Sequence, residues 1–208
     1  YHPISSIPRE NGRMPELHSP LAAIAKPGRY GSAAKSAKMG LVLTEHAPPD
    51  ILQIAGWADF EGAVAPLLDH LGFPGIGDYR TTQSKEDRHL FRLAPDRLWL
   101  LGDTKPDLPD ELTPAGSLTT LDITHARWII EASGPALEDL LHRLAPIDFR
   151  ESHFPAGTFA QTAIHKTSVL IWRHAPDRAR IYCPTSGTHA LWSFIADTAA
   201  PLGYEVAG

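Results

Sequence analysis

The chain has 208 residues, of which 43% are hydrophobic and 21% charged, enough apolar material for one large domain or two small ones. Its 24 acidic residues outnumber 19 scattered Lys and Arg residues, which gives a net charge of −5, so we expect no nucleic-acid partner. The sequence lacks both the run of roughly 20 apolar residues that a membrane helix needs and the basic and apolar segments of a secretory signal. These properties predict a folded protein that is not inserted in a membrane.

Cys183 is the only cysteine, so the chain cannot form an internal disulfide. This cysteine usage suits a reducing compartment and predicts a cytoplasmic location. Because residue 1 is Tyr rather than Met, we expect the native N-terminus to have been trimmed or to lie upstream.

Residues 1–45 are unusually rich in proline and glycine and form a predicted N-terminal arm. Since proline fixes φ and removes a hydrogen-bond donor, we expect neither a long helix nor a central strand there. A short apolar patch at Leu17 and 21–24 distinguishes the arm from a disordered linker. Two interpretations follow: the arm lies on a partner chain, or it packs on its own domain.

The rest of the chain contains a repeated pattern. Residues 51–55 predict a strand that ends at Gly56, and apolar residues at helical spacing then predict a helix that stops at Gly72, with Pro66 expected to bend it or delay its start. Gly134 lies 78 residues after Gly56, and it also follows a predicted strand and precedes a predicted helix.

Two predicted hairpins extend this repeat. The tetrapeptide Ala-Pro-Asp-Arg occupies 94–97 and again 175–178, and in both places it joins two apolar runs. Proline pre-sets φ for a type I turn, so each tetrapeptide predicts a hairpin. A final helix is predicted near 191–198, capped by Thr185 or Ser186, with its apolar face on the sheet. The predicted fold is an α+β domain of two similar β-α-β-β units, at 46–120 and 121–208.

The eleven histidines show no metal-ligand spacing, although His165, His174 and His189 flank the second hairpin. We therefore predict no metal site and interpret these histidines as surface or hydrogen-bonded residues. The glycines at 72–77 follow a helix rather than a strand, so they predict a loop and not a dinucleotide site.

The sequence shows no catalytic constellation either. Cys183 follows two strand residues, Ile181 and Tyr182, which predicts a buried thiol rather than a nucleophile. Asp122 and Thr124 are expected to fix the turn that leads into the next strand through hydrogen bonds to the backbone. No catalytic or cofactor-binding residue is predicted in this chain.

Six segments carry a resemblance to known proteins. The segment DITHAR at 122–127, followed by SGPA at 133–136, resembles the opening of the second half of proteins related to the glycine-cleavage T-protein. The whole chain is similar to gamma subunits of heterotetrameric sarcosine oxidase, through SPLA at 19–22, GLVLTE at 40–45, LAPDRLWLLG at 93–102 and FPAGTFAQT at 154–162.

This resemblance implies a folate-binding-type α+β fold of two similar halves and a structural subunit that supplies no catalytic residue. It also implies a complex that oxidatively demethylates sarcosine or a related N-methyl amino acid. In such a complex, the large alpha-type, beta-type and small delta-type subunits carry FAD, FMN, NAD, tetrahydrofolate and zinc. We predict that the arm contacts a partner subunit through Leu17, Ser19, Pro20, Leu21 and Ile24.

Two other functions remain open from the sequence. One is a stand-alone folate-binding protein or a folate-dependent, aminomethyltransferase-like enzyme with the same fold, which would need a concave site with clustered aromatic residues. The other is a regulatory or scaffold protein that acts outside any oxidase.

Overall fold

The computed structural model describes residues 18–34, 39–103, 106, 108–112 and 117–207. The elements before residue 123 are β1 (Gly28–Tyr30), β2 (Leu41–His46), β3 (Asp50–Gly56), α1 (Phe60–His70), β4 (Gln83–Lys85), β5 (Arg88–Ala94), β6 (Arg97–Gly102) and β7 (Leu118–Asp122). Those that follow are β8 (Arg127–Ser133), α2 (Leu137–Leu144), β9 (Thr158–Ile164), β10 (Thr167–Ala175), β11 (Arg178–Pro184), α3 (Thr188–Ala199) and β12 (Tyr204–Val206). None of these helices combines the length and the apolar character that crossing a bilayer requires.

The strands form two sheets, one for each half of the repeat. The first half has the order β4-β5-β6-β3-β7, and the second has the order β1-β12-β2-β8-β11-β10-β9. Neighbouring strands are antiparallel except for β12 and β2, which are parallel. Together with the three helices, these sheets confirm the predicted α+β fold of two similar units.

The two halves exchange a strand. In sequence, β2 directly precedes β3, yet it pairs with β8 of the second half. In the same way, β7 precedes β8 but pairs with β3 of the first half. The sequence pattern did not predict either strand as a member of the opposite sheet, because the exchange depends on pairing between residues far apart in the chain.

Two glycines at equivalent places allow this exchange. A Cβ on Gly56 would lie 2.8 Å from the carbonyl oxygen of Ser117, just before β7, and a Cβ on Gly134 would lie 2.6 Å from that of Gly40, just before β2. The amide of each glycine donates to the aspartate carbonyl of the hairpin in its own half: Gly56 to Asp96 and Gly134 to Asp177. A side chain at either glycine would push the incoming strand away.

Three buried clusters divide the molecule into layers. One lies between α1 and the five-stranded sheet, and a second, larger one lies between the seven-stranded sheet and helices α2 and α3. The third is formed by side chains from the facing sides of the two sheets. The order of layers is therefore helix, sheet, sheet, helices, and the sheets meet at the centre of the protein.

Part of the predicted arm belongs to this core. The expectation that the arm contains no central strand is wrong for β2, which lies between β12 and β8. The reason is that the proline- and glycine-rich stretch ends at Gly40, so every residue of β2 has its amide donor and a side chain to pack. Leu21 is fully buried against the core of the second half, which supports packing of this part of the arm on its own domain.

The helices follow the predicted patterns, with two differences. The expected delay of the helix start at Pro66 is wrong, because α1 begins at Phe60 and continues through Pro66. The alternative, that Pro66 bends the helix, stays a prediction. The predicted cap of α3 is wrong: residues 185–187 form a separate turn, the helix begins at Thr188, and the Thr185 hydroxyl donates to the carbonyl of His125. The predicted apolar face of α3 is confirmed, since Leu191 and Ile195 are buried on the sheet.

Candidate functional site between the sheets

Aromatic rings fill the space where the two sheets meet. The Phe91 ring lies edge-on to Phe159 and to Trp172, with centroids 5.1 and 5.3 Å apart. The imidazole of His89 lies 4.6 Å from the Trp172 ring. Such edge-to-face contacts favour fixed ring positions. The layer therefore holds the polar groups at its border in a defined geometry.

Glu131 is the centre of a polar cluster at this border. Along β8, alternate residues point to opposite faces of the sheet: Ile130 and Ala132 pack toward the helices, whereas Ile129 and Glu131 point toward the other sheet. Glu131 is only 7% exposed, so its charge has to be balanced by protein groups.

Four side chains surround the Glu131 carboxylate. Its Oε2 lies 2.9 Å from Nε of Arg180, 3.2 Å from Nε2 of His174 and 3.7 Å from Nε2 of His46, and its Oε1 lies 3.8 Å from Nη1 of Arg178. The close contact with His174 and then the hydrogen bond from Arg180 lower the pKa of Glu131 to about 2, against the opposing effect of burial. Glu131 is therefore ionised at neutral pH.

A cleft of about 420 Å³ opens beside this cluster. Its polar lining comes from His46, His89 and Arg180 together with Asp87 and Asp103. Its apolar lining comes from Pro48, Pro49, Leu101, Ile129 and the Tyr182 ring. Burial is the main cause that lowers the pKa of both His46 and His89, so both imidazoles are neutral at pH 7. A cleft of this size, into which charged and polar side chains converge, is a candidate small-molecule site.

A second cleft, of about 430 Å³, is lined by Gln53 and Trp99 of the first half. In it, the indole of Trp99 donates from Nε1 to Oε1 of Gln53 over 3.3 Å, and the guanidinium of Arg127 lies 5.0 Å from the centre of the Trp99 ring. This cation–π contact orders Arg127 at the surface. Tyr182 lines both clefts.

The groups with nucleophilic or metal-binding potential have structural contacts. Cys183 is fully buried, as predicted, and burial raises the pKa of its thiol. Of the three histidines near the second hairpin, only His174 joins the polar cluster; His165 stacks on Phe194, and His189 is exposed. Among the described residues, no three His, Cys, Asp or Glu side chains are arranged to hold a metal ion.

The predicted turn residues have the expected roles. Oδ1 of Asp122 accepts from the amide of Thr124 over 3.0 Å, and the Thr124 hydroxyl accepts from the amide of Ile51 over 2.9 Å. The prediction that both side chains fix this turn is confirmed. Since Thr124 also contacts β3, the turn ties the two halves together.

The predicted partner-contact residues have different environments. Leu17 lies outside the described residues, and Leu21 has no exposed surface because it packs on this chain's own core. The Ser19 hydroxyl donates to Glu45, and Pro20 and Ile24 are half-buried. Leu21 therefore does not need a partner to be buried, while contact of Ser19, Pro20 and Ile24 with another subunit stays a prediction.

The polar cluster around Glu131 was not predicted from the sequence. One signal was available: Glu131 is the only charged residue within the apolar run of β8 between its first and last positions. A charged side chain in a buried strand is expected to have a partner. Its partners Arg180 and His174 come from other strands, and no spacing along the chain identifies them.

Comparisons with known proteins agree with this architecture. No protein-family model and no curated protein sequence matches the chain. The structure is similar to a chain of the heterotetrameric sarcosine oxidase from Corynebacterium sp. U-96, with a TM-score of 0.71 and 21% identity over 89% of this chain and 96% of that chain. It is also similar to the glycine cleavage system aminomethyltransferase T from Bartonella henselae, with a TM-score of 0.53 and 15% identity over 82% of this chain and 48% of that one. These similarities establish a shared fold, as the sequence resemblance predicted.

Proposed function

We propose that this chain is a non-catalytic, gamma-type structural subunit of a heterotetrameric flavoenzyme complex that oxidatively demethylates sarcosine or a related N-methyl amino acid. The observation that carries the proposal is the nearly complete overlap with one chain of a heterotetrameric sarcosine oxidase, 89% of this chain and 96% of the other. An overlap of this extent means that the two chains share the whole unit and not one module of it.

The comparison with aminomethyltransferase T supports an alternative function. The match covers 82% of this chain and 48% of that enzyme, so this chain shares its fold with part of the enzyme. The alternative is a stand-alone folate-binding or aminomethyltransferase-like protein, and folate calorimetry separates it from the structural subunit.

The state of the reactive groups also suits a structural role. Glu131 is held as an ion by its neighbours, and the Cys183 thiol is buried with a raised pKa. A general base needs a pKa near the working pH, and a thiol nucleophile needs to be a thiolate. In the proposed complex, FAD, FMN, NAD, tetrahydrofolate and zinc are bound by the alpha-type, beta-type and delta-type subunits.

Exposed apolar side chains mark surfaces for these partners. Trp57 is 63% exposed and Leu121, on the edge strand β7, is 56% exposed. Large apolar residues at the surface are enriched in protein interfaces. A permanent complex is expected to bury more than about 2,000 Å² in total, so these residues and the arm would together form part of a larger contact.

Co-expression with the flavoprotein chains that the proposal expects to be encoded beside this one tests the proposal. We expect all four chains to purify together and to oxidise an N-methyl amino acid, and we expect the other three to lose assembly when this chain is omitted. The substitutions Trp57→Ser and Leu121→Ser should weaken co-purification, whereas Tyr79→Ser, at another exposed aromatic residue, is the matched control.

Removal of residues 1–17 tests the arm separately, because it leaves Leu21 in the core. Reduced co-purification with an unchanged melting temperature of the isolated chain supports an arm that contacts a partner. Turnover of a substrate by the isolated chain, or micromolar folate binding by it in calorimetry, would overturn the proposed function in favour of a stand-alone enzyme or carrier.

A further inference from the structure

The cleft beside Glu131 combines three properties that point to a ligand. It has the guanidinium group of Arg180 on one wall, two carboxylates on the other, and a buried hydrogen-bond donor without an acceptor. Each property comes from different residues, and none is needed for the subunit role proposed above.

The positive wall is formed by the second sheet. The carboxylate of Glu131 holds the guanidinium groups of Arg178 and Arg180 in place, and of these two arginines Arg180 lines the cleft. Nε of Arg180 donates to Glu131, and the same side chain lines the cleft, where it lies beside the Tyr182 hydroxyl. An arginine held in place by one carboxylate can present its remaining N–H groups to a second one.

Tyr182 supplies the unused donor. Its side chain is 1% exposed, and burial is the first cause that raises its pKa to about 12, so the hydroxyl keeps its proton. The hydroxyl is buried and no acceptor contacts it among the described residues. The neighbouring Arg180 side chain has only donors, and a buried donor without an acceptor destabilises the protein. A ligand oxygen between Tyr182 and Arg180 would satisfy it.

The opposite wall is acidic. Asp87 directly precedes β5 and Asp103 directly follows β6, so both lie at the same end of this antiparallel pair, where they are exposed at the cleft. His89 also lines the cleft, where burial and then Arg180 lower the pKa of its imidazole against the opposing effect of Asp103 and Asp87. The cleft thus offers cationic donors and anionic acceptors on facing sides, with an apolar floor that includes Ile129.

We propose that this cleft binds a small zwitterionic amino acid, with its carboxylate at Arg180 and Tyr182 and its ammonium group toward Asp87 and Asp103. Opposite charges on the two walls favour a ligand that carries both charges over one that carries either alone. The apolar floor accommodates short alkyl groups on the amine or the α-carbon.

Isothermal titration calorimetry of the full chain tests this site. The probes are glycine and sarcosine as zwitterions, with acetate and methylamine as ligands of a single charge. We expect each zwitterion to bind at least about tenfold more tightly than acetate or methylamine. Equal binding of acetate and the zwitterions, or no binding of any probe up to about 10 mM, overturns the proposal.

Variants locate the site. Asp87→Asn with Asp103→Asn should weaken zwitterion binding at least about tenfold and leave acetate binding unchanged. Tyr182→Phe removes the unused donor without changing the ring, and it should weaken binding of the zwitterions and of acetate alike. The control, Asp69→Asn on the exposed side of α1, should change neither.

Unaltered zwitterion binding by both cleft variants places the ligand elsewhere and overturns the proposal. This outcome is separate from the subunit assignment, because that assignment is tested by co-purification.

Discussion

Glu131 and Arg180 lie directly opposite each other on β8 and β11, joined by a hydrogen bond of 2.9 Å, and they occupy the positions that Gln53 and Trp99 occupy in the first half. Gln53 precedes Glu131 by 78 residues, the same separation as Gly56 and Gly134. Trp99 precedes Arg180 by 81 residues, the separation of the two hairpin turns. The same place in the repeat thus holds a neutral pair in one half and an ion pair in the other.

This difference gives the two halves different properties. Burial of the neutral pair costs little free energy. Burial of the ion pair costs more, because each charge loses its contact with water and has to be balanced by neighbouring groups. Around Glu131, that balance comes from the guanidinium groups of Arg178 and Arg180. The charged cleft is therefore a property of the second half that the repeat alone does not confer.

Substitution of Glu131 by Gln should destabilise the isolated chain by about 2 kcal/mol. The substitution leaves Arg180 and Arg178 without a counter-charge, and the cost is moderated because both guanidinium groups are partly exposed. Chemical denaturation at pH 7 measures the effect. Asp148→Asn is the control, since the ion pair of Asp148 with Arg150 is exposed and its loss should matter much less. Equal effects of the two substitutions would contradict this prediction.

The contribution of Glu131 should also depend on pH. Its pKa is about 2 in the folded chain against an ordinary value of 4.5, so the unfolded chain takes up the proton first as the pH falls. The stability difference between the wild type and Glu131→Gln should be complete above pH 4.5 and should shrink as the pH falls toward 2. Thermal melts across this interval measure it. A difference that stays constant down to pH 2 would argue against an ionised Glu131.

His89 should make the protein less stable in mild acid. Burial is the main cause that lowers its pKa below 6.5, so the unfolded chain protonates more readily than the folded one. The neutral imidazole of His89 therefore makes its whole contribution to stability above pH 6.5, and this contribution is lost as the pH falls below 6.5. Melting temperatures of His89→Gln should therefore vary less than those of the wild type as the pH is lowered through this value. His165→Gln, on the other side of the second sheet, serves as the control.

Leu21→Ala should destabilise the isolated chain by about 2–4 kcal/mol, because it leaves a cavity in the core of the second half. Ile24→Ala, at a half-buried position in the same turn, should cost less, since less of its surface is removed from water. Denaturant titrations of both variants without partner chains measure the effect. An isolated chain that tolerates Leu21→Ala unchanged would show that Leu21 is buried only in a complex.

Cys183 should be unreactive in the native protein. Its side chain is fully buried, and burial raises the pKa of the thiol, so few molecules carry the reactive thiolate at neutral pH. Under native conditions, a disulfide reagent such as dithiobis(nitrobenzoate) should react with the Cys183 thiol only as fast as the chain unfolds. In denaturant, the same reaction should be fast. Rapid reaction under native conditions would show that the thiol is accessible.

Much of the fold was determined by local sequence. The glycines at 56 and 134, the apolar faces of the helices and the two Ala-Pro-Asp-Arg turns predicted a doubled α+β unit, because strand ends, helix faces and tight turns depend on neighbouring residues. The buried state of Cys183 and the roles of Asp122 and Thr124 were predicted for the same reason.

Only the tertiary structure decided how the two units combine. The exchange of β2 and β7, the burial of Leu21 and the convergence of His46, His174 and Arg180 on Glu131 all join residues that are far apart in the chain. Strand pairing between distant segments has no local signature, since any half-buried strand can pair with several others. The charged cleft arises from that pairing.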